Sequence, residues 1–218
     1  MHVFQDTGKI HTMDNPKLRL RAGQLVRLGA AVVLGGVLAA CQTPPPAPVA
    51  YTGPTLDIEQ TERGVQIVLP VTVLFATGEY TFKTEEAAPY LDRLASLLKT
   101  KTTHDVSVEG HTDNVGGLAM NQTLSDNRAR ALRKALEERG IEPQRIVSAG
   151  FGYNRPVASN ASEQGRTLNR RVELMVLEEK VETFTQGEPA NAFASAFDKL
   201  RKMVDEGLIQ LPQPSEGK

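Results

Sequence analysis

Residues Glu109 to Ala129, E-G-H-T-D-N-V-G-G-L-A-M-N-Q-T-L-S-D-N-R-A, join a strand to a helix and set an acid and a base on either side of the join. Val106-Ser-Val-Glu109 alternates as a strand does, and Ser125 offers an N-cap to a helix whose inner face would be Ala129, Leu132 and Leu136. Asp113 then lies just past the strand, and Arg128 falls in the first helical turn, where its charge opposes the helix dipole. A cation there is costly, so a functional role for the pair competes with an internal Asp–Arg pair that ties the loop to the helix.

The flanking segments extend the same alternation. Gly140 and Pro143 end the helix, and Arg145 to Ala149 and Arg171 to Leu177 supply two more strands. Upstream, Gly64 to Leu69 and Val71 to Phe75 read as strands interrupted by Pro70, which cannot donate to a sheet ladder. Leu91, Leu94, Ala95 and Leu98 have amphipathic-helix spacing, in a helix that starts either at Thr84 or, given Pro89, near Ala88 and runs to about Lys99. Strands alternating with helices predict an α/β fold, a small α+β two-layer sandwich with its helices packed on one sheet.

The 218 residues carry 40% hydrophobic and 23% charged side chains, the composition of a globular protein with one or two domains. Five of the Lys/Arg and two of the Asp/Glu fall in residues 1–40, so the remainder holds 20 basic against 24 acidic residues, a balance of −4. That balance gives no support to a nucleic-acid partner, which normally demands a concentrated basic surface.

Arg19, Arg21 and Arg27 precede the uncharged run Leu28 to Ala40, too short for a membrane span and of the right length for a signal-peptide core. Residues 1–40 are therefore expected to be a signal peptide, with Met13 as an alternative start. Leu38-Ala-Ala-Cys41 resembles the bacterial lipobox, which implies that Cys41, the sole cysteine, is lipidated and becomes the mature N-terminus. Several acyl chains, palmitate among them, make a lasting anchor where one chain would not. Gln42 at the next position, by resemblance to enterobacterial lipoproteins, implies sorting to the outer membrane. Residues 41–55, with Pro44, Pro45, Pro46, Pro48 and Pro54, read as a polyproline-like tether reaching roughly 40 Å. In 181–218, Phe193, Phe197, Leu200 and Val204 recur at helical spacing, as a helix that packs back on its own domain or docks an envelope partner.

A ligand group bearing both an ammonium and a carboxylate needs an acceptor-only group and a bidentate donor a few ångströms apart, and Asp113 and Arg128 are such a pair. Around them, G-H-T-D at 110–113, N-x-x-L-S-x-x-R-A at 121–129, G-x-G at 150–152 and N-R-R-V-E at 169–173 resemble the OmpA-like peptidoglycan-binding domain, which implies a domain of βαβαβ type over residues 56–180. Together with the lipobox, the chain resembles a peptidoglycan-associated lipoprotein. The resemblance implies a non-catalytic protein, anchored in the outer membrane on its periplasmic face, that binds the diaminopimelate of peptidoglycan stem peptides. It makes Asp113 the partner of the ligand's ammonium and Arg128 that of its carboxylate. Asn121, Thr112 and Arg170 then line the same cup, against the plainer roles of a loop cap, a strand-end hydrogen bond and an exposed strand residue. Where many members place Asp after the first strand's Phe, this chain has Ala76, which implies weaker or broader binding.

Two other classes of function find less support. His111, Asp113 and Ser125 lack the nucleophile elbow and oxyanion site of a hydrolase. His104, His111 and Asp113 are too few and wrongly spaced for a metal site, and no cofactor is expected. The serious alternative is an envelope scaffold lipoprotein whose cup is vestigial, with the 193–204 segment as its docking helix.

Overall fold

The computed structural model describes residues 51–212; the signal segment, Cys41 and most of the tether lie outside the described residues. Two antiparallel strands open the domain, β1 (Leu56–Thr61) and β2 (Gly64–Pro70). Alternation sends Leu56, Ile58, Val65, Ile67 and Leu69 inward and leaves Asp57, Glu59 and Gln66 on the opposite face. Their tight turn requires Gly64: its φ is +137°, and a Cβ there would lie 2.1 Å from the Val176 carbonyl oxygen.

Pro70 ends β2, and the chain then enters a single helical turn, α1 (Val71–Leu74), in place of the second strand that the β-branched run suggests. Packing overrides propensity at this point, because the turn buries Val71 and Leu74 in the core while the Val71 N–H bonds the Arg170 carbonyl. Helix α2 (Thr84–Thr100) takes the earlier of the two expected starts. Pro89 lies inside it, where the carbonyl it leaves without a helical donor belongs to exposed Glu85. Its inner face is Ala87, Leu91, Leu94, Ala95 and Leu98.

Strand β3 (Val106–Gly110) leads to α3 (Leu118–Glu138), which begins well before Ser125. The expected N-cap role for Ser125 is therefore corrected. Gly117 is the N-cap, Asn121 ties the entry by donating to the Val115 carbonyl, and Ser125 is a buried mid-helix residue. Arg128 accordingly sits in the middle of α3, and its cost arises from burial rather than from the helix dipole. Strand β4 (Ile146–Gly150), helix α4 (Glu163–Asn169) and strand β5 (Arg171–Leu177) follow, then the short turn α5 (Val181–Phe184). The chain finishes with β6 (Phe193–Ser195) and α6 (Ala196–Asp205), so Phe193 belongs to a strand and not to the C-terminal helix.

The sheet order is β4-β3-β5-β2-β1-β6, with β3–β4 and β1–β6 parallel and the other pairs antiparallel. Helices α2 and α3 cover one face, and Leu94, Leu98, Leu132 and Leu136 seal it against Ile67, Val108 and Leu174. This is the expected mixed α/β sandwich. The other face is polar and is partly crossed by α6, where Lys199 pairs with Asp57 at 2.8 Å and the Phe197 N–H donates to Glu59.

Helix α3 comes unusually close to the ends of β3 and β4. A Cβ on Gly110 would lie 2.2 Å from the Ser125 carbonyl oxygen, and one on Gly150 2.3 Å from the Asp126 nitrogen. Polar ties fix the approach. Asp126 accepts from the Gly150 N–H at 2.7 Å, and Ser125 Oγ accepts from the Gly152 N–H at 2.9 Å.

Phe184 is fully buried and joins the C-terminal extension to the core. Phe184→Ala should cost about 3–5 kcal/mol of unfolding free energy in a urea titration. A change within about 0.5 kcal/mol, as for a surface site, would mean that the extension does not fold with the domain.

Candidate functional site

A cavity of about 730 Å³ opens between the loop after α1, the end of β3, the first half of α3, and α4. Thr112 and Asp113 reach it because β3 ends at Gly110, beside α3. Arg128 reaches it from one helical turn past the close approach at Ser125. Asn121 and Arg170 also line it, so all five residues expected at the cup share one cavity.

Their pairing differs from the simplest expectation. Asp113, 7% exposed, does not pair with Arg128; its Oδ2 accepts from Arg170 Nη1 at 2.6 Å, and its Oδ1 from the Val115 N–H at 3.0 Å. The internal Asp–Arg pair thus exists, but with a different arginine. Arg170 also donates through Nη2 to Glu163 at 2.8 Å and to Thr167 Oγ1 at 2.7 Å. Hydrogen bonds from Arg170 and then Arg166 hold the Glu163 carboxyl below its ordinary value. Asn121 spends its amide N–H on the Val115 carbonyl and so shapes the loop.

Arg128 is the exception to this pairing. It is 2% exposed, its Nε donates to the Glu79 backbone carbonyl at 2.9 Å, and its guanidinium lies 5.7 Å from the centroid of the Phe75 ring, itself stacked on Phe82. Among the described residues it has no ion pair, and its terminal nitrogens make no hydrogen bond. Burial pushes its pKa down to about 10, with nearby Arg170 acting the same way and Asp113 and Glu79 opposing, so it stays charged at neutral pH. In the same lining, the buried Thr112 hydroxyl has no hydrogen-bond partner among the described residues. Together they offer unmet donors to an anion, next to a carboxylate suited to a cation.

Glu163, Arg166, Lys83 and Phe75 also line the cavity without having been singled out. Glu163, Arg166 and Arg170 stand three and then four positions apart, the spacing of one helical face, which is a legible signal for a charged wall.

His111 points to the other side of the sheet. It lines a separate cavity with Glu109 and Glu173, so it does not assemble with Asp113, and Ser125 is engaged with Gln122 and Gly152. One carboxylate oxygen each of Glu109 and Glu173 and one His111 ring nitrogen lie within 4.8 Å of one another, a spacing compatible with a cation. Arg63 and Arg155 pair with Glu109, however, and Arg171 with Glu173, so both carboxylates are already neutralised by guanidinium groups that would repel a metal ion.

His111 is 1% exposed and stacks on Phe151, and among the described residues neither ring nitrogen has a hydrogen-bond partner. Burial, then the charges of Arg171 and Arg155, push its pKa from the ordinary 6.5 down to about 3, so the fold holds it neutral. Because the folded value lies below the unfolded one, its contribution is complete above pH 6.5 and is lost toward pH 3. The loss approaches about 1.4 kcal/mol per pH unit within that window. His111→Phe keeps the ring stack with nothing to protonate. Urea unfolding at about pH 7 and about pH 4 should therefore show an acid loss smaller than wild type's by a few kcal/mol, and an equal loss would assign the acid sensitivity elsewhere.

Both the sequence and the fold have relatives among known proteins. The OmpA family model matches residues 74–170, a span that encloses Thr112, Asp113, Asn121, Arg128 and Arg170. Outer-membrane lipoprotein YfiB of Pseudomonas aeruginosa is 32% identical over 168 residues, covering 72% of this chain and 96% of that protein. Outer membrane porin F of the same organism is 47% identical over 87 residues, 39% of this chain and 25% of that protein. Several other curated relatives are also much longer, and the matches span 18% to 47% of their length. Among solved structures, the cell wall anchor of the T6SS from Pseudomonas aeruginosa is similar at 32% identity and a TM-score of 0.51, over 56% of this chain and 87% of that one. The periplasmic domain of Helicobacter pylori MotB shares the fold, with a TM-score of 0.52 at 22% identity over 72% of this chain and 95% of that one. With 32% identity over 168 residues that cover 96% of one relative, and with Thr112, Asp113, Asn121, Arg128 and Arg170 inside the family model's span, the chain belongs to the OmpA family.

Proposed function

We propose that this chain is a non-catalytic outer-membrane lipoprotein that holds the cell wall by binding the diaminopimelate of peptidoglycan stem peptides in the cup. The observation that carries this proposal is Arg128, a buried guanidinium with no acidic partner among the described residues, facing a cavity beside the unpartnered Thr112 hydroxyl. Keeping such a charge out of water costs several kcal/mol unless an anion meets it, and a ligand carboxylate fits the planar fork. Asp113, close enough for its charge to act on Arg128, supplies the acceptor for an ammonium on the same ligand carbon. Diaminopimelate carries that amine and carboxylate together.

The lipobox at Cys41 supports anchoring, and the relatives include a lipoprotein and a cell wall anchor. Ala76 brings no carboxylate to the loop. In this chain the loop acts on Arg128 through the Glu79 backbone carbonyl, which leaves the guanidinium's outer edge for the ligand. The scaffold alternative draws less support, since α6 is tied to the domain's own sheet through Asp57 and Glu59.

Arg128→Ala should weaken binding to isolated sacculi and to free diaminopimelate about ten- to a hundredfold, the loss of one charge-assisted contact. Binding equal to wild type by the folded variant would remove Arg128 from the site. Cys41→Ser should move the protein from the membrane pellet to the soluble fraction, and persistence in the pellet would contradict lipid anchoring.

A further inference from the structure

The carboxylate proposed to accept the ligand's ammonium already has partners within the fold. Asp113 Oδ2 holds Arg170 Nη1 at 2.6 Å while Oδ1 holds the Val115 N–H, so a second cation arriving at this carboxylate meets a guanidinium in its place. Two cations on one partly buried carboxylate repel each other. For the ammonium to bind, Arg170 needs another anion within its present reach.

Glu163 is that anion. Its Oε1 accepts from Arg170 Nη2 at 2.8 Å, so Arg170 is forked between two carboxylates. Arg166 grips Oε2 through Nε at 3.0 Å and Nη2 at 2.7 Å, which holds Glu163 in position on α4. Thr167 Oγ1, 2.7 Å from Arg170 Nη2, gives the guanidinium a third contact on the same wall. Side-chain exposures of 10% for Asp113, 25% for Arg170 and 62% for Glu163 make a ladder from the cavity floor to solvent, along which a cation can shift outward without losing its counter-charge. Charge balance gives the same result. The lining holds Asp113 and Glu163 against Lys83, Arg128, Arg166 and Arg170, so without Glu163 one carboxylate would face four cations, a setting that accepts anions and rejects amines.

Building on the proposed binding of an amine-and-carboxylate group in this cup, we infer that Glu163 is a positioning residue that sets its preference for ligands bearing an ammonium beside the carboxylate. It draws Arg170 off Asp113 when the ammonium arrives. Glu163 does not itself touch the ligand. A ligand with carboxylates alone leaves the Asp113–Arg170 pair intact and makes no demand on Glu163.

The test is calorimetric titration of the full-length protein with meso-diaminopimelate and with pimelate, the same dicarboxylate chain without amino groups, in wild type and Glu163→Gln. Glu163 is exposed, so the variant keeps its fold, checked by an unchanged thermal midpoint. The ratio of affinities, diaminopimelate over pimelate, should fall about two- to fivefold in Glu163→Gln, the size of one exposed ion pair, with pimelate binding equal or stronger. A ratio equal to wild type's, whether both affinities hold or drop together, would overturn the inference and leave the cup intact. Wild type that binds neither compound would overturn the cup itself.

Discussion

The close approach of α3 to the ends of β3 and β4 is the constraint on which the rest depends. Gly110 and Gly150 leave no room for a side chain against the backbone of Ser125 and Asp126, and the Asp126 carboxylate and Ser125 hydroxyl lock the contact with hydrogen bonds to Gly150 and Gly152. Everything at the cup is measured from that contact. Asp113 stands just beyond Gly110 on the strand, Arg128 one turn beyond Ser125 on the helix, and the loop after α1 closes over Arg128 through the Glu79 carbonyl and the stacked Phe75 and Phe82 rings. Loosening the contact would move the acid and the base independently.

The sheet separates two charge systems of opposite character. On one side Glu109 and Glu173 are fully neutralised by three arginines, and His111 is kept uncharged beside them. That network closes on itself and stabilises the strand ends that carry Thr112 and Asp113. In the cup the ladder Asp113–Arg170–Glu163–Arg166 is also balanced, while Arg128 stands outside it, without a carboxylate partner among the described residues. A saturated network on one side and, on the other, a buried cation without a carboxylate partner among the described residues are the contrast on which the proposed ligand site rests.

Most of the architecture was legible from alternation and helical spacing. β3, β4, β5 and the body of α2 fall where those patterns put them, because burial on one face leaves its imprint on the sequence. The departures have local causes. Ser125 looks like an N-cap by residue type, but its role is set by Gly110 and Gly152, which no local window contains. Val71 to Phe75 has strand propensity, yet Pro70 and the hydrogen bond to the Arg170 carbonyl turn it into a helical turn. At the site, the motif resemblance named five residues that the fold brings to one cavity, and missed Glu163, Arg166, Lys83 and Phe75 in the same lining. The Arg170–Asp113 pair was not legible, because it joins groups 57 positions apart and only the fold decides which arginine reaches the carboxylate.

The central claim is that the Arg128 guanidinium and the Thr112 hydroxyl receive a ligand carboxylate while Asp113 receives the neighbouring ammonium. Its most direct measurement is a nuclear magnetic resonance titration of the isotope-labelled protein with diaminopimelate, following the Arg128 Nε–H signal and the backbone amides of Thr112, Asp113 and Val115. These signals should shift together and saturate with one dissociation constant, while residues around His111 on the other face stay still. Saturable shifts confined to α6 or to the residues around His111, with Arg128 unmoved, would contradict it.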